Sequence, residues 1–140
     1  MSSVLNLKFL TFITFAGLGD DAPLSIKKPR KPAIFDIGPG FPARQIVKIE
    51  CGGMHTVALA SDGSIYTWGV NDEKALGRKG AENVPLKVEF DNFKAEHISA
   101  GDCHTIAYNT QSNQLYYWGC YKVSICLMPN IHFILMHDLK

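Results

Sequence analysis

The sequence predicts an all-β fold built from repeated short sheets, and three observations support this prediction. A run that begins Gly-x-x-His-Thr and ends Trp-Gly occurs twice, at residues 52–69 and 101–119. Within each copy, short β-branched and aromatic runs are bounded by turn residues, as the strands of a hairpin are. Nothing between residues 40 and 122 has a long helical period. A repeat of about fifty residues is typical of solenoids and propellers.

The bulk composition fits one packed domain. The chain has 140 residues, of which 46% are hydrophobic and 19% are charged. This balance argues against disorder. The formal net charge is +1, so no global field favours nucleic acid or a membrane surface.

The cysteines and histidines predict no catalytic or metal site. Cys51, Cys103, Cys120 and Cys126 form no C-x-x-C pair, which favours reduced intracellular thiols over disulfides or zinc ligands. Cys103 and His104 are adjacent on a predicted strand and point to opposite faces, so they cannot act as nucleophile and base. No phosphate-binding loop is present, and we expect no cofactor, no metal and no small-molecule substrate.

Each copy of the repeat predicts a hairpin. The segment HTVALA (55–60) alternates in polarity, and SDGS (61–64) is typical of a turn because Gly63 can take a positive φ. The segment IYTWG (65–69) predicts the returning strand. In the second copy, NTQSNQ (109–114) is the predicted turn and LYYWG returns.

The segment NDEKALGR (71–78) follows the first Trp-Gly and predicts a loop with at most one helical turn. We expect Leu76 to pack inward and Gly77 to reverse the chain. Arg78 and Lys79 are then exposed candidates for contact with a partner.

Ten positions are assigned to the repeat architecture. Glycine before each histidine allows close approach of the backbone near an axis, and the tryptophans would fill the space between sheets. Stacking short sheets around an axis covers both faces of each, which is the logic of a propeller. The positions are Gly52, Gly53, His55, Trp68, Gly69, Gly77, Gly101, His104, Trp118 and Gly119.

Three segments, GGMHT, NDEKALGR and AGDCHT, in this order and spacing, resemble the regulator of chromosome condensation repeat. The resemblance implies a seven-bladed β-propeller of which this chain holds about two blades and a partial blade before them. It covers roughly residues 17–122 and is strong from 46 to 119. The predicted division is 1–16 (apolar), 17–45 (partial blade and basic-proline linker), 46–97 (first clear repeat), 98–122 (second repeat) and 123–140 (tail unlike the family).

A hypothesis about the gene accounts for the two end segments that do not resemble the family. Val-Ser at 123–124 can be encoded by a splice-donor sequence, and Phe-Ala-Gly at 15–17 by a splice acceptor. The hypothesis is that both ends are translated intron. The alternative for residues 1–16 is a weak signal-like segment, too short to span a bilayer.

The resemblance also implies a function: guanine nucleotide exchange on a Ran-type small GTPase at chromatin, in the service of nuclear transport and mitosis. Exchange would involve no covalent catalysis. Asp102 is the position most expected to contact the GTPase, and Asp20, His55 and His104 are further candidates. The family's insertion that wedges against the GTPase is absent after Lys122, so this chain alone is expected to be inactive.

Each of these sites has a structural alternative. His55 and His104 recur at equivalent places and are expected to be mainly structural, and Asp102 could equally cap a turn. The basic segment Lys27, Lys28, Arg30 and Lys31 could be a nuclear localisation signal or contact DNA, but a solvated loop is favoured.

Two further classes of function stay open. The repeat also serves as a non-catalytic interaction propeller, including in ubiquitin-ligase-type proteins. The chain could instead be a secreted β-rich protein, an outcome the resemblance does not favour. The expected location is the nucleus, with the cytoplasm as alternative, and chromatin would be bound through the full propeller, with no membrane partner.

Overall fold

The computed structural model describes residues 45–120 and 132–135, which form two four-stranded sheets. The first sheet contains β1 (Ile46–Cys51), β2 (His55–Ala60), β3 (Ile65–Gly69) and β4 (Leu86–Lys87) in that order. The second contains β5 (His97–Ala100), β6 (His104–Asn109), β7 (Gln114–Gly119) and β8 (His132–Leu135). The predicted all-β class with two blades is confirmed, although each sheet has twice the strands that the hairpin pattern indicated.

The central hairpins form where the sequence predicted them. In the first sheet, β2 and β3 pair antiparallel, with Ala58 opposite Tyr66. Gly63 in the turn has φ 82°, and the Ser64 N–H donates to Asp62 Oδ1 at 2.9 Å. The second turn is tighter than predicted, because β6 and β7 extend to the pair formed by residues 109 and 114.

The expected alternation along β2 is wrong, because all six of its residues are buried. Val57 and Leu59 belong to a core cluster that also contains Ala107 and Trp118 of the second sheet. Ala58 and its neighbours on the opposite face form another cluster within the first sheet. A strand covered on both faces shows no polar alternation.

The main core therefore lies between the two sheets. Trp118 is fully buried in it. Phe90, after β4, packs edge-on against Tyr116 with ring centroids 5.0 Å apart, and Phe93 lies 4.3 Å from the same ring. These aromatic pairs extend the core between the sheets.

The fourth strands of the two sheets differ in direction. β4 pairs antiparallel with β3, and β8 pairs parallel with β7. β8 falls inside the segment predicted to be unlike the family. Within the described ranges, no helix is long and apolar enough to cross a membrane.

Candidate partner-binding surface at the strand-entry loops

Two short loops lead into the strands that begin with the repeated histidines. We call residues 52–54 and 101–103 the strand-entry loops. The same backbone hydrogen bond closes each loop. The Gly52 N–H donates to the His55 carbonyl at 2.8 Å, and the Gly101 N–H donates to the His104 carbonyl at 2.9 Å. The Gly53 N–H donates to the Asp102 carbonyl at 3.0 Å, so the loops of the two sheets are joined.

The glycines of these loops permit the close approach. A Cβ at Gly52 would collide with the Gly101 carbonyl oxygen, and a Cβ at Gly53 would collide with Asp102 Oδ1. The carboxylate of Asp102 therefore lies against the bare backbone of Gly53, and Asp102 itself is exposed. The loops present a negative charge to solvent at the seam between the sheets.

His55 connects the two sheets. The residue is 3% exposed, and its Nε2 lies 2.9 Å from Thr105 Oγ1 in the second sheet. The Thr105 hydroxyl donates in turn to the Ala75 carbonyl at 3.1 Å. Because that hydroxyl proton is used, Nε2–H of His55 is the donor to Thr105. The Trp118 Nε1–H also donates to the Ala75 carbonyl, at 2.9 Å.

The environment of His55 favours its neutral form. Burial lowers the pKa of His55 below the ordinary value of 6.5, the nearby His104 lowers this pKa further, and Asp102 acts in the opposite direction. A neutral imidazole is consistent with donation from Nε2. His55 thus lies buried in the seam between the sheets.

His104 occupies the equivalent position in the second sheet but is half-buried. Its ring stacks on Tyr117, with centroids 5.5 Å apart and planes 17° apart. A Cβ at Gly101 would collide with this ring. Asp102 and His104 are therefore the candidate contact residues that the described structure leaves accessible.

The other sequence candidates are placed differently. Asp20 and the basic segment Lys27, Lys28, Arg30 and Lys31 lie outside the described residues. Within the residues described, no group of three or more His, Cys, Asp or Glu side chains is close enough to hold a metal ion.

The expectation that Arg78 is exposed is wrong. Its guanidinium is buried and donates to the Thr67 carbonyl, with Nη2 at 2.6 Å, and to the Ala81 carbonyl at 2.9 Å. Burial lowers the pKa of Arg78, and Glu82 opposes this. Arg78 satisfies carbonyls of β3 and of the loop between β3 and β4, and so acts structurally. Lys79 is exposed, as expected.

Thr105 and the Ala75 carbonyl were not selected from the sequence. A signal for Thr105 was present, because threonine follows histidine in both copies of the repeat. No signal pointed to residue 75, since its contribution comes from the backbone.

Family profiles match this part of the chain. The regulator of chromosome condensation (RCC1) repeat profile matches residues 62–108, and a second profile of the same repeat matches residues 46–74. The chain belongs to the RCC1 repeat family.

Curated relatives agree with this assignment. The chain is 40% identical over 110 residues to the mouse "Regulator of chromosome condensation", covering 76% of this chain and 24% of the relative. It is 35% identical to the Arabidopsis "RCC1 domain-containing protein RUG3, mitochondrial", over 74% of the chain and 24% of that relative. It is 28% identical to the human "E3 ubiquitin-protein ligase HERC2", over 66% of the chain and 2% of that protein. The chain thus spans about a quarter of the first two.

Solved structures of the family share the fold. Prp20p of Saccharomyces cerevisiae, described with its binding properties to Gsp1p and histones, matches with a TM-score of 0.60 and 28% identity over 80% of this chain and 27% of that one. Yeast RCC1 (Prp20) bound to Kap60 matches with a TM-score of 0.59 and 26% identity, with the same coverage. The predicted fold, two blades of an RCC1-type propeller, is confirmed.

Proposed function

We propose that this chain contributes two blades, 46–97 and 98–122, to a propeller that promotes guanine nucleotide exchange on a Ran-type small GTPase at chromatin. Two findings support the proposal: the 40% identity to the mouse regulator, and the likeness to Prp20p, whose binding to Gsp1p and histones has been described. Such a protein works by binding and regulation, with no covalent step. The nucleus is the corresponding location.

The exposed carboxylate of Asp102 is the observation that carries the proposal. It lies on the strand-entry loop of the second sheet, and its main chain is tied to Gly53 of the first. A loop whose main chain is tied to both sheets is preorganised, which lowers the entropy lost when a partner is bound. Exchange requires that the partner's nucleotide site be held open, and a fixed acceptor of hydrogen bonds suits that task better than a mobile one.

A segment exchange tests this function. Residues 46–120 replace the matching segment of the mouse regulator, and release of a fluorescent guanine nucleotide from Ran is followed with time. Asp102→Asn in this chimera should slow release about tenfold to hundredfold, the effect of losing a hydrogen bond to a charged group. Asp91→Asn is the matched control, because Asp91 is also exposed but lies after β4. Equal rates for Asp102→Asn and the parent chimera would contradict the proposal.

A non-catalytic interaction propeller is the second candidate. It is favoured by the matches to HERC2 and RUG3. HERC2 is named as an E3 ubiquitin-protein ligase and RUG3 as a mitochondrial RCC1 domain-containing protein, so relatives of this chain are not all named for chromosome condensation. The chimera separates the two candidates. Binding to the GTPase without any Asp102-dependent release of nucleotide would favour the interaction propeller.

A further inference from the structure

Two cysteines lie opposite each other where the second hairpin ends. His104 pairs with Gly119 in the register of β6 and β7. Cys103 and Cys120 are the next residues outward on the two chains, and the Cys120 N–H donates to the Cys103 carbonyl at 2.8 Å. Both cysteines are free thiols and half-exposed. One backbone hydrogen bond therefore joins the two residues just beyond the ends of β6 and β7, and both of them are cysteine.

This geometry suits a disulfide. The Cys120 N is one bond from its Cα and the Cys103 carbonyl oxygen is two bonds from its Cα, so a 2.8 Å hydrogen bond between them keeps the Cα atoms within about 6.7 Å. Disulfides usually join Cα atoms about 4.4–6.8 Å apart. Cys120 is also among the groups close enough to raise the pKa of the Cys103 thiol, after burial and Asp102. We propose that Cys103 and Cys120 are a redox pair that closes reversibly to a disulfide, with glutathione disulfide as the oxidant.

The pair is particular to the second sheet. At the matching place in the first sheet, the Val70 N–H donates to the Met54 carbonyl at the same 2.8 Å. The backbone is thus alike in both sheets, and only the second provides two thiols. Cys51, the other cysteine within residues 45–120, is in β1 of the first sheet.

The reaction proceeds by two exchanges. Burial, followed by the charge of Asp102, raises the pKa of the Cys103 thiol, which disfavours Cys103 as the first nucleophile. The first exchange is therefore proposed at Cys120. Its thiolate attacks glutathione disulfide, forms a mixed disulfide and releases one glutathione. The Cys103 thiolate then attacks the Cys120 sulfur, forms the Cys103–Cys120 bond and releases the second glutathione. The two cysteines lose two electrons and two protons, and glutathione disulfide gains them.

The disulfide would fix the end of the hairpin that carries Asp102. Cys103 directly follows Asp102, so closing the pair restrains the second strand-entry loop next to its bond with Gly53. This consequence for partner binding rests on the proposed function. The redox pair itself does not depend on that function.

The pair is tested in the 140-residue chain carrying Cys51→Ser and Cys126→Ser, which leaves no other cysteine. The chain is equilibrated in buffers of increasing glutathione disulfide, trapped by alkylation and measured by intact mass and peptide mapping. We expect loss of the mass of two hydrogen atoms and a linked peptide that joins residues 103 and 120. Cys103→Ser in this background should instead accumulate a glutathione adduct on Cys120.

Two results would overturn the inference. One is a glutathione adduct that persists while both cysteines are present, because it would show that the second exchange does not occur. The other is a wild-type chain whose disulfide joins Cys51 or Cys126 in place of this pair. Neither readout involves the GTPase. Failure of nucleotide exchange in the chimera would therefore not contradict the redox pair, and failure of the disulfide to form would not contradict the exchange function.

Discussion

The two sheets share a sequence motif but bury it to different depths. Every residue of β2 is buried, whereas in β6 only Thr105 and Ala107 are. His55 is enclosed in the seam, and its counterpart His104 stays half-buried. The first sheet has the second sheet against its His-Thr strand, and the described residues provide no equivalent cover for the second. The motif determines where the strand forms, and packing of a neighbouring blade determines how deeply the residues of that strand are buried.

The largest expected effect comes from substituting Trp118, the tryptophan buried between the two sheets. Trp118→Ala should lower the free energy of unfolding by about 3–5 kcal/mol, because it empties the core between the sheets. Trp118→Phe keeps an aromatic ring but removes the donor to the Ala75 carbonyl, and should cost about 1–3 kcal/mol. Chemical denaturation of the chain measures both. A loss below about 1 kcal/mol for Trp118→Ala would mean that the seam is not the main core.

Substituting Thr105 should have a smaller effect, but it tests a single hydroxyl group. Thr105→Val removes the hydroxyl between His55 and the Ala75 carbonyl and should cost about 1–3 kcal/mol of unfolding free energy. The matched control is Thr56→Val in the first sheet, whose hydroxyl makes no hydrogen bond to another described residue. The same denaturation experiment should show a smaller loss for the control. Equal losses would show that the bridge between the sheets contributes nothing specific.

The smallest effect is a dependence on pH. The pKa of His55 is lowered in the folded chain, so folded protein binds fewer protons than unfolded protein. The stabilising effect is full above the unfolded pKa of about 6.5 and is lost as the pH falls below it, by at most about 1.4 kcal/mol per pH unit. His55→Gln should flatten the profile of unfolding free energy between pH 7 and pH 5, roughly the range where an unperturbed histidine titrates.

A matched variant completes the pH experiment. His104→Gln removes the neighbouring imidazole that lowers the pKa of His55, but it leaves burial, the larger cause, in place. The slope should therefore be reduced only in part. If His104→Gln flattens the profile as much as His55→Gln does, burial is not the main cause of the lowered pKa of His55.

Local features of the fold could be predicted from the sequence. The turn at Gly63 and the strands on either side depend on nearby residues, and the positive φ of Gly63 follows from its place in Ser-Asp-Gly-Ser. The family motifs then identified the blades. Leu76 was expected to pack inward, and it is fully buried.

Features that depend on distant residues could not be predicted in this way. Arg78 looked exposed because its partners, the carbonyls of Thr67 and Ala81, converge only when the loop folds back on β3. The parallel pairing of β8 with β7 joins segments with no pattern in common. Asp102 was identified by resemblance, and its position against Gly53 came from the contact between sheets.

The carbonyl of Ala75 has a consequence for how the chain can vary. It accepts hydrogen bonds from both Thr105 and Trp118, yet it belongs to the main chain. A substitution at position 75 would leave that oxygen in place and would be limited by the small space around a buried side chain. The side chains that determine these two hydrogen bonds therefore both belong to the second sheet, and the first sheet's blade supplies only a main-chain oxygen.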